Sequence, residues 1–130
     1  MHEFSTMQSI VNAIMEEARK HGAKKITRVE LEIGELTFLG EEQMKFAFDI
    51  LKEGTIMERA VLKIKKTRAV VRCTECGYEG NVEYGIKEDF HLSFPILKCP
   101  ECGGSVEIIG GRECTVKNVE MEVEDDIPQE

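Results

Sequence analysis

Along residues 7–18, Met7, Ile10, Val11, Ile14, Met15 and Ala18 recur at i, i+3, i+4 and i+7, the single stripe of an amphipathic helix. Ser5 followed by Gln8 has the form of a capping box, and His21-Gly22 that of a stop. The pattern predicts a first helix over about residues 5–21. The period then switches to two: Val29, Leu31 and Ile33 alternate with charged neighbours across 27–34, a strand with one wet face. Met44, Ala47, Phe48 and Leu51 return to helical spacing over 41–52, and Gly54 ends it. Residues 60–71 alternate again through Leu62 and Ile64 into Ala69-Val70-Val71. Residues 79–93 are polar and weakly patterned, a hairpin or irregular loop. Val106 to Ile109 reads as a short strand and Gly110-Gly111 as a turn. Val119, Met121 and Val123 alternate with glutamates in a last strand, and Asp125 to Glu130 reads as a frayed tail.

Four cysteines interrupt this pattern. They stand as Cys73-Thr74-Glu75-Cys76-Gly77 and Cys99-Pro100-Glu101-Cys102-Gly103, with 22 residues between the pairs. Two such pairs can bring four thiolates to one point, which is the ligand set of a tetrahedral zinc site. The glycine ending each pair lets the chain turn so that backbone N–H groups face the sulfurs. A closed four-sulfur site leaves no position for a substrate, so the zinc is structural and the activity lies elsewhere. The element order is helix, strand, helix, strand, zinc module, strand. Two amphipathic helices need a sheet to cover, which predicts an α+β fold: two helices packed on a small three-stranded sheet, with an inserted zinc-ribbon-like domain. The expected division is 1–67 plus 111–130 for the body and 68–110 for the zinc domain.

Composition narrows the classes. The 130 residues are 42% hydrophobic and 32% charged, with Asp+Glu 25 against Lys+Arg 17 and a net charge of -8. Zinc ribbons often bind nucleic acid, but here the basic residues are dispersed and only six Phe and two Tyr supply stacking surface. Nucleic acid is therefore not the expected partner. No apolar run approaches the ~20 residues of a membrane span, and no leader pattern precedes the first helix. His2 is large, so Met1 is expected to remain. Metal-knuckle spacing among five cysteines favours a reducing compartment, the cytoplasm. The fifth, Cys114, reads as a small buried strand residue. With no P-loop, no Ser/His/Asp set and only three histidines, no enzyme is expected.

Met1-His2-Glu3 is easily passed over, since a histidine beside a terminus is most often merely solvated. Its chelate chemistry is nevertheless specific. The α-amine and the His2 amide nitrogen close a five-membered ring on a metal. The same amide and Nδ1 of His2 close a six-membered ring, and the Glu3 amide completes a plane of four nitrogens. Such a plane suits Ni(II) or Cu(II), and zinc gains less from it. Binding would be pH-dependent, because every donor must shed a proton.

Met-His-Glu-Phe-Ser-Thr-Met-Gln-Ser-Ile resembles the N-terminus of the HypA/HybF family of hydrogenase nickel-incorporation proteins. Gly34-Glu35-Leu36, Phe46-Ala47-Phe48, Glu53-Gly54-Thr55, both CxxC pairs and the late Val-Glu-Met-Glu-Val fit the same family, in order, along nearly the whole chain. The resemblance implies a nickel metallochaperone with an α+β nickel domain and an inserted zinc domain. It implies nickel on His2, with the Met1 amine and the amides of His2 and Glu3, and zinc on Cys73, Cys76, Cys99 and Cys102. It implies as partners a nickel-handling GTPase, HypB, and the large subunit of [NiFe]-hydrogenase, with the chaperone as monomer or homodimer. Phe4 stands where Leu, Met or Trp is familiar and is expected to pack the helix entry. Cys114 stands where an aliphatic residue is expected. His91 lies in the zinc module and is expected to be satisfied or solvated rather than a nickel ligand. The rival reading is a zinc-ribbon adaptor without nickel affinity. A redox role for the CxxC pairs is disfavoured, because zinc thiolates are closed.

Overall fold

The amphipathic stripe of the first helix is buried along its length: Met7, Val11, Ile14 and Ala18 are all within the core. The computed structural model describes residues 2–87 and 92–123. Its elements run α1 (Glu3–Lys20), β1 (Ala23–Gly34), a 3-10 turn (Glu35–Thr37), α2 (Glu41–Leu51), β2 (Val61–Thr67), β3 (Val70–Cys73), β4 (Glu79–Asn81), β5 (Tyr84–Lys87), β6 (Leu92–Pro95), β7 (Val106–Gly110) and β8 (Cys114–Val123). They divide into two compact units.

The first unit comprises residues 1–32, 39–65 and 115–130. Its sheet has the order β2-β1-β8, so the last strand returns beside the first. β1 is central, and Ile26, Val29, Leu31 and Ile33 are buried along it. α1 packs on α2, which buries Met44, Ala47 and Phe48. Ala13 and Ile14 of α1 line a recess with Val116, Val119 and Met121 of β8, which sets the helix against the sheet. Each fully buried Ile, Leu, Val, Met or Phe side chain, such as Ile26, Leu31, Met44 or Phe48, stabilises the fold by about 1.5–3 kcal/mol. The α+β architecture with two helices and a three-stranded sheet follows directly from the two periodicities.

The second unit comprises residues 33–38 and 66–114. Its sheet is antiparallel in the order β4-β3-β7, pairing Val71 with Gly80 on one side and with Ile108 on the other. β5 and β6 form a separate hairpin, Tyr84 opposite Pro95. Among the described residues its core is small: Ala69, Val71 and Val82, flanked by Leu36, Tyr78, Val106 and Ile108. A small core in so short a unit is the circumstance in which small modules rely on a metal.

Residues 33–38 join this unit through backbone bonds. The Gly34 N–H donates to the Glu113 carbonyl at 2.7 Å and the Leu36 N–H to the Gly111 carbonyl at 2.7 Å. Glu35 Oε2 accepts the Ala69 N–H at 2.6 Å. A Cβ on Gly34 would lie 2.1 Å from the Gly111 oxygen, so only glycine permits this approach. Glu113 adds its carboxylate, accepting the Thr67 hydroxyl at 2.5 Å and the Gly111 N–H at 2.8 Å. Those two donors hold its carboxyl below the usual range.

Several local expectations need correction. α1 begins at Glu3, not Ser5, with His2 as the N-cap. Ser5 lies in the first turn, where its hydroxyl donates to the His2 carbonyl at 3.2 Å, so the Ser5–Gln8 capping box does not form. The earlier start is held by Glu3, whose Oε2 accepts the Gly40 N–H at 2.9 Å. Phe4, expected to pack the helix entry, is 47% exposed. The run 60–71 is two strands, broken at Arg68-Ala69. β1 and β8 both extend further than their alternating cores. Cys114 is exposed, not buried. The tail from 125 and His91 lie outside the described residues.

Candidate metal centres

Two chain reversals of the same construction build the cysteine site. β3 ends at Cys73, and the turn that follows aims two amide N–H groups at its sulfur, from Glu75 at 3.3 Å and Cys76 at 3.3 Å. The second turn repeats the arrangement on Cys99, with donors Glu101 at 3.3 Å and Cys102 at 3.4 Å. Each reversal closes on a glycine of positive φ, 81° at Gly77 and 75° at Gly103, and each glycine N–H returns to its first cysteine carbonyl. Side chains other than glycine adopt that conformation at a cost, which is why the spacing reads CxxCG rather than CxxC alone.

The turns are then tied together. The Thr74 N–H donates to the Ser105 carbonyl at 3.2 Å. Glu75 Oε2 accepts the Ser105 N–H at 3.4 Å, a cross-brace that spacing alone did not reveal. As a result the four sulfurs lie within 4.8 Å of one another, with Cys73–Cys102 and Cys76–Cys99 each at 3.6 Å. A tetrahedron of zinc–sulfur bonds of about 2.3 Å has edges of about 3.8 Å, so the set has the size zinc requires. None of the five cysteines is in a disulfide. Cys73 and Cys99 are buried, whereas Cys76 and Cys102 reach the surface.

Proton affinities across the cluster diverge. The Cys76 and Glu75 N–H groups hold the Cys73 thiol down to about 6. The Gly104 N–H favours the Cys102 thiolate, yet hydrogen bonding with Cys73, burial and the sulfurs of Cys76 and Cys99 push it up to about 12. Four anionic sulfurs cannot share one point without a cation between them. A divalent soft-ligand metal resolves that conflict, and the donor set fits structural zinc.

The second candidate centre is a helix end. His2, the N-cap of α1, is exposed and has φ -108° and ψ 18°. Its carbonyl accepts the Thr6 N–H at 2.9 Å, closing the first helical turn. The amides of His2 and Glu3 precede any i−4 carbonyl, so neither is committed to the helical ladder. Met1 lies outside the described residues. His21 caps the other end of α1, so the two histidines stand apart by the length of an 18-residue helix.

The fold and the cysteine cluster together define a metal-binding α+β protein with a closed thiolate site in one unit and an exposed helix N-terminus carrying histidine in the other. A family model described as "Hydrogenase/urease nickel incorporation, metallochaperone, hypA" matches residues 1–121. The hydrogenase maturation factor HypA of Methanothermobacter thermautotrophicus is 42% identical over 126 residues, covering 96% of this chain and all of that protein. HypA of Caldanaerobacter subterraneus subsp. tengcongensis is 43% identical over 124 residues, covering 94% of this chain and 100% of that protein. The solution structure of the nickel metallochaperone HypA from Helicobacter pylori superposes with a TM-score of 0.63 at 27% identity, covering 95% of this chain and 100% of that one. The chain belongs to the HypA family of nickel metallochaperones for hydrogenase maturation. Nickel is accordingly the metal handled, and the four-cysteine cluster has the chemistry of a resident structural zinc. No helix among the described residues is long and apolar enough to cross a membrane.

Proposed function

We propose that this chain carries Ni(II) on its N-terminus, with the Met1 amine, the amide nitrogens of His2 and Glu3 and the His2 imidazole as ligands. Cys73, Cys76, Cys99 and Cys102 hold a resident zinc. The nickel-binding domain is built on 1–67 and 111–130 and the zinc-binding domain on 68–110, with residues 33–38, 66–67 and 111–114 clustering with the latter. The chain then surrenders nickel to the large subunit of [NiFe]-hydrogenase, working with the GTPase HypB, in the cytoplasm and without catalysing covalent chemistry.

One observation carries the nickel assignment: His2 is the exposed N-cap of α1, and Glu3 is the first helical residue. A metal that takes the amide nitrogens of these two residues costs the helix none of its i→i−4 bonds. The positive end of the helix dipole also favours the negative charge left when an amide loses its proton. The same demand anywhere inside the helix would break the ladder. The Glu3 carboxylate, bonded to the Gly40 N–H, fixes where the helix starts and so where these nitrogens stand.

An open edge of four nitrogens on an exposed terminus suits delivery, because an incoming ligand from the acceptor can attack the metal before the chelate has let go. The test is a nickel titration of three proteins: the native chain, His2→Ala, and a chain with residues added before Met1. The reading requires strong binding by the first alone. Equal binding by all three would remove nickel from the N-terminus and put its site elsewhere in the chain.

A further inference from the structure

The second unit carries an apolar groove that neither metal centre uses. Leu36, Phe38, Pro95, Leu97, Ile108 and Arg112 line it, and it encloses about 200 Å³. Small-molecule sites run to about 300–1,000 Å³, so this groove is the size of one large side chain rather than of a cofactor. Phe38 stands at its lip, 71% exposed, and Leu97 is 47% exposed.

Phe38 is the one non-glycine residue with positive φ among the described residues, at 57°. A bulky side chain adopts the left-handed region only where its surroundings impose it. Here they do. The Phe38 N–H closes the 3-10 turn on the Glu35 carbonyl, and the Thr37 hydroxyl donates to the Gly34 carbonyl at 2.8 Å. An aromatic ring is thereby held out in water beside an apolar recess.

Arg112 supplies the polarity. It is exposed and has no ion-pair partner among the described residues. Two carboxylates of the same unit are already engaged elsewhere. Glu113 accepts from Thr67 and Gly111, and Glu35 accepts from the Ala69 N–H. A guanidinium with no ion-pair partner among the described residues, beside an apolar recess, is complementary to a segment that pairs a large apolar side chain with a carboxylate.

We propose that this groove docks an acidic–apolar segment of the protein that accepts the nickel, one apolar side chain in the recess and one carboxylate on Arg112. The proposal rests on the delivery reading only in taking the occupant to be a protein. Its test is kept apart from nickel binding.

Random peptides displayed on phage are selected on the immobilised, zinc-loaded chain after depletion on Arg112→Glu. The expected consensus is a large apolar residue with Asp or Glu beside it. Binding of the selected peptide, followed by fluorescence anisotropy, should weaken at least about tenfold in Arg112→Glu and in Phe38→Ala. His2→Ala should bind it as the native chain does. Both groove variants alter exposed side chains, and retention of one zinc per chain verifies their fold. The proposal is overturned if nothing is enriched, if the consensus lacks an acid, or if both variants bind like the native chain. It falls equally if sedimentation finds a dimer that Arg112→Glu dissociates, since the occupant is then a second copy. Peptide binding that survives while His2→Ala still binds nickel fully would instead overturn the N-terminal nickel site and leave the groove standing.

Discussion

The two metal regions of this chain are built in opposite ways. The cysteine cluster gathers four residues from two turns that are 22 residues apart, and every sulfur environment is completed by amides and cross-braces from the fold. The N-terminal region draws on three consecutive residues and a helix start, with the long-range bond of Glu3 to Gly40. A zinc in the first would be surrounded on all sides, so losing it would mean losing the local fold. On the proposed reading the second would hold nickel at an edge, so that the metal could leave while the helix stays. Retention and delivery would then be separated by how many elements of the fold each site draws on.

The comparison breaks most visibly at the cysteines. Removing zinc by chelation, or replacing Cys99 with Ser, should cost the second unit on the order of 10 kcal/mol of metal-coupled folding. Backbone amide dispersion for Val71 and Val82 should collapse while the far-UV signal of α1 and α2 persists. Loss of that helix signal in step would show that the two units fold as one.

The next effect is on nickel alone. His2→Ala should weaken Ni(II) binding at least about 100-fold, since even outer-shell partners of a ligand are worth 10–100-fold. Zinc content should stay at one per chain. Nickel affinity that tracked zinc content instead would erase the distinction between the sites.

A smaller effect belongs to the knot at residues 33–38. Glu113 has a depressed carboxyl pKa in the folded chain, so it stabilises the fold above the usual carboxylate value of about 4.3 and loses that contribution as pH falls through the carboxylate range. Glu113→Gln should therefore lower Tm by about 4–8 °C at neutral pH, and the two melting curves should converge in acid. A constant difference down to strongly acid pH would mean that the carboxylate charge is irrelevant.

The smallest expected effect is the most discriminating. Glu3→Ala keeps the amide nitrogen at position 3 but removes the tie to Gly40. Nickel affinity should fall only about threefold, through a less defined helix start, far short of the His2 loss. A loss as large as that of His2→Ala would make the Glu3 carboxylate itself a ligand.

Much of this was legible before any coordinates. Amphipathic spacing located both helices because burial is one-sided and helical geometry is regular: Met7, Val11, Ile14 and Ala18 point one way by count alone. CxxCG located the thiolates because the turn that presents two sulfurs is local. The helix start was not legible, since Ser5–Gln8 satisfies the local rule while Glu3 satisfies a partner 37 residues away. Nor was the knot of Gly34, Glu35, Gly111 and Glu113, whose members look like ordinary loop residues until the chain returns. Cys114 was misplaced because an alternating pattern says which residues share a face, without saying whether the end of a strand is covered.

Sequence alone therefore determined the periodic elements, the four zinc-type thiolates and the order of nitrogen donors along Met1-His2-Glu3, because each depends on covalent spacing within a few residues. Tertiary structure alone decided that His2 is an N-cap, that residues 33–38 belong with the cysteine unit, and that Phe38 and Arg112 share one groove. Those facts depend on hydrogen bonds and contacts between segments tens of residues apart, which no local pattern encodes.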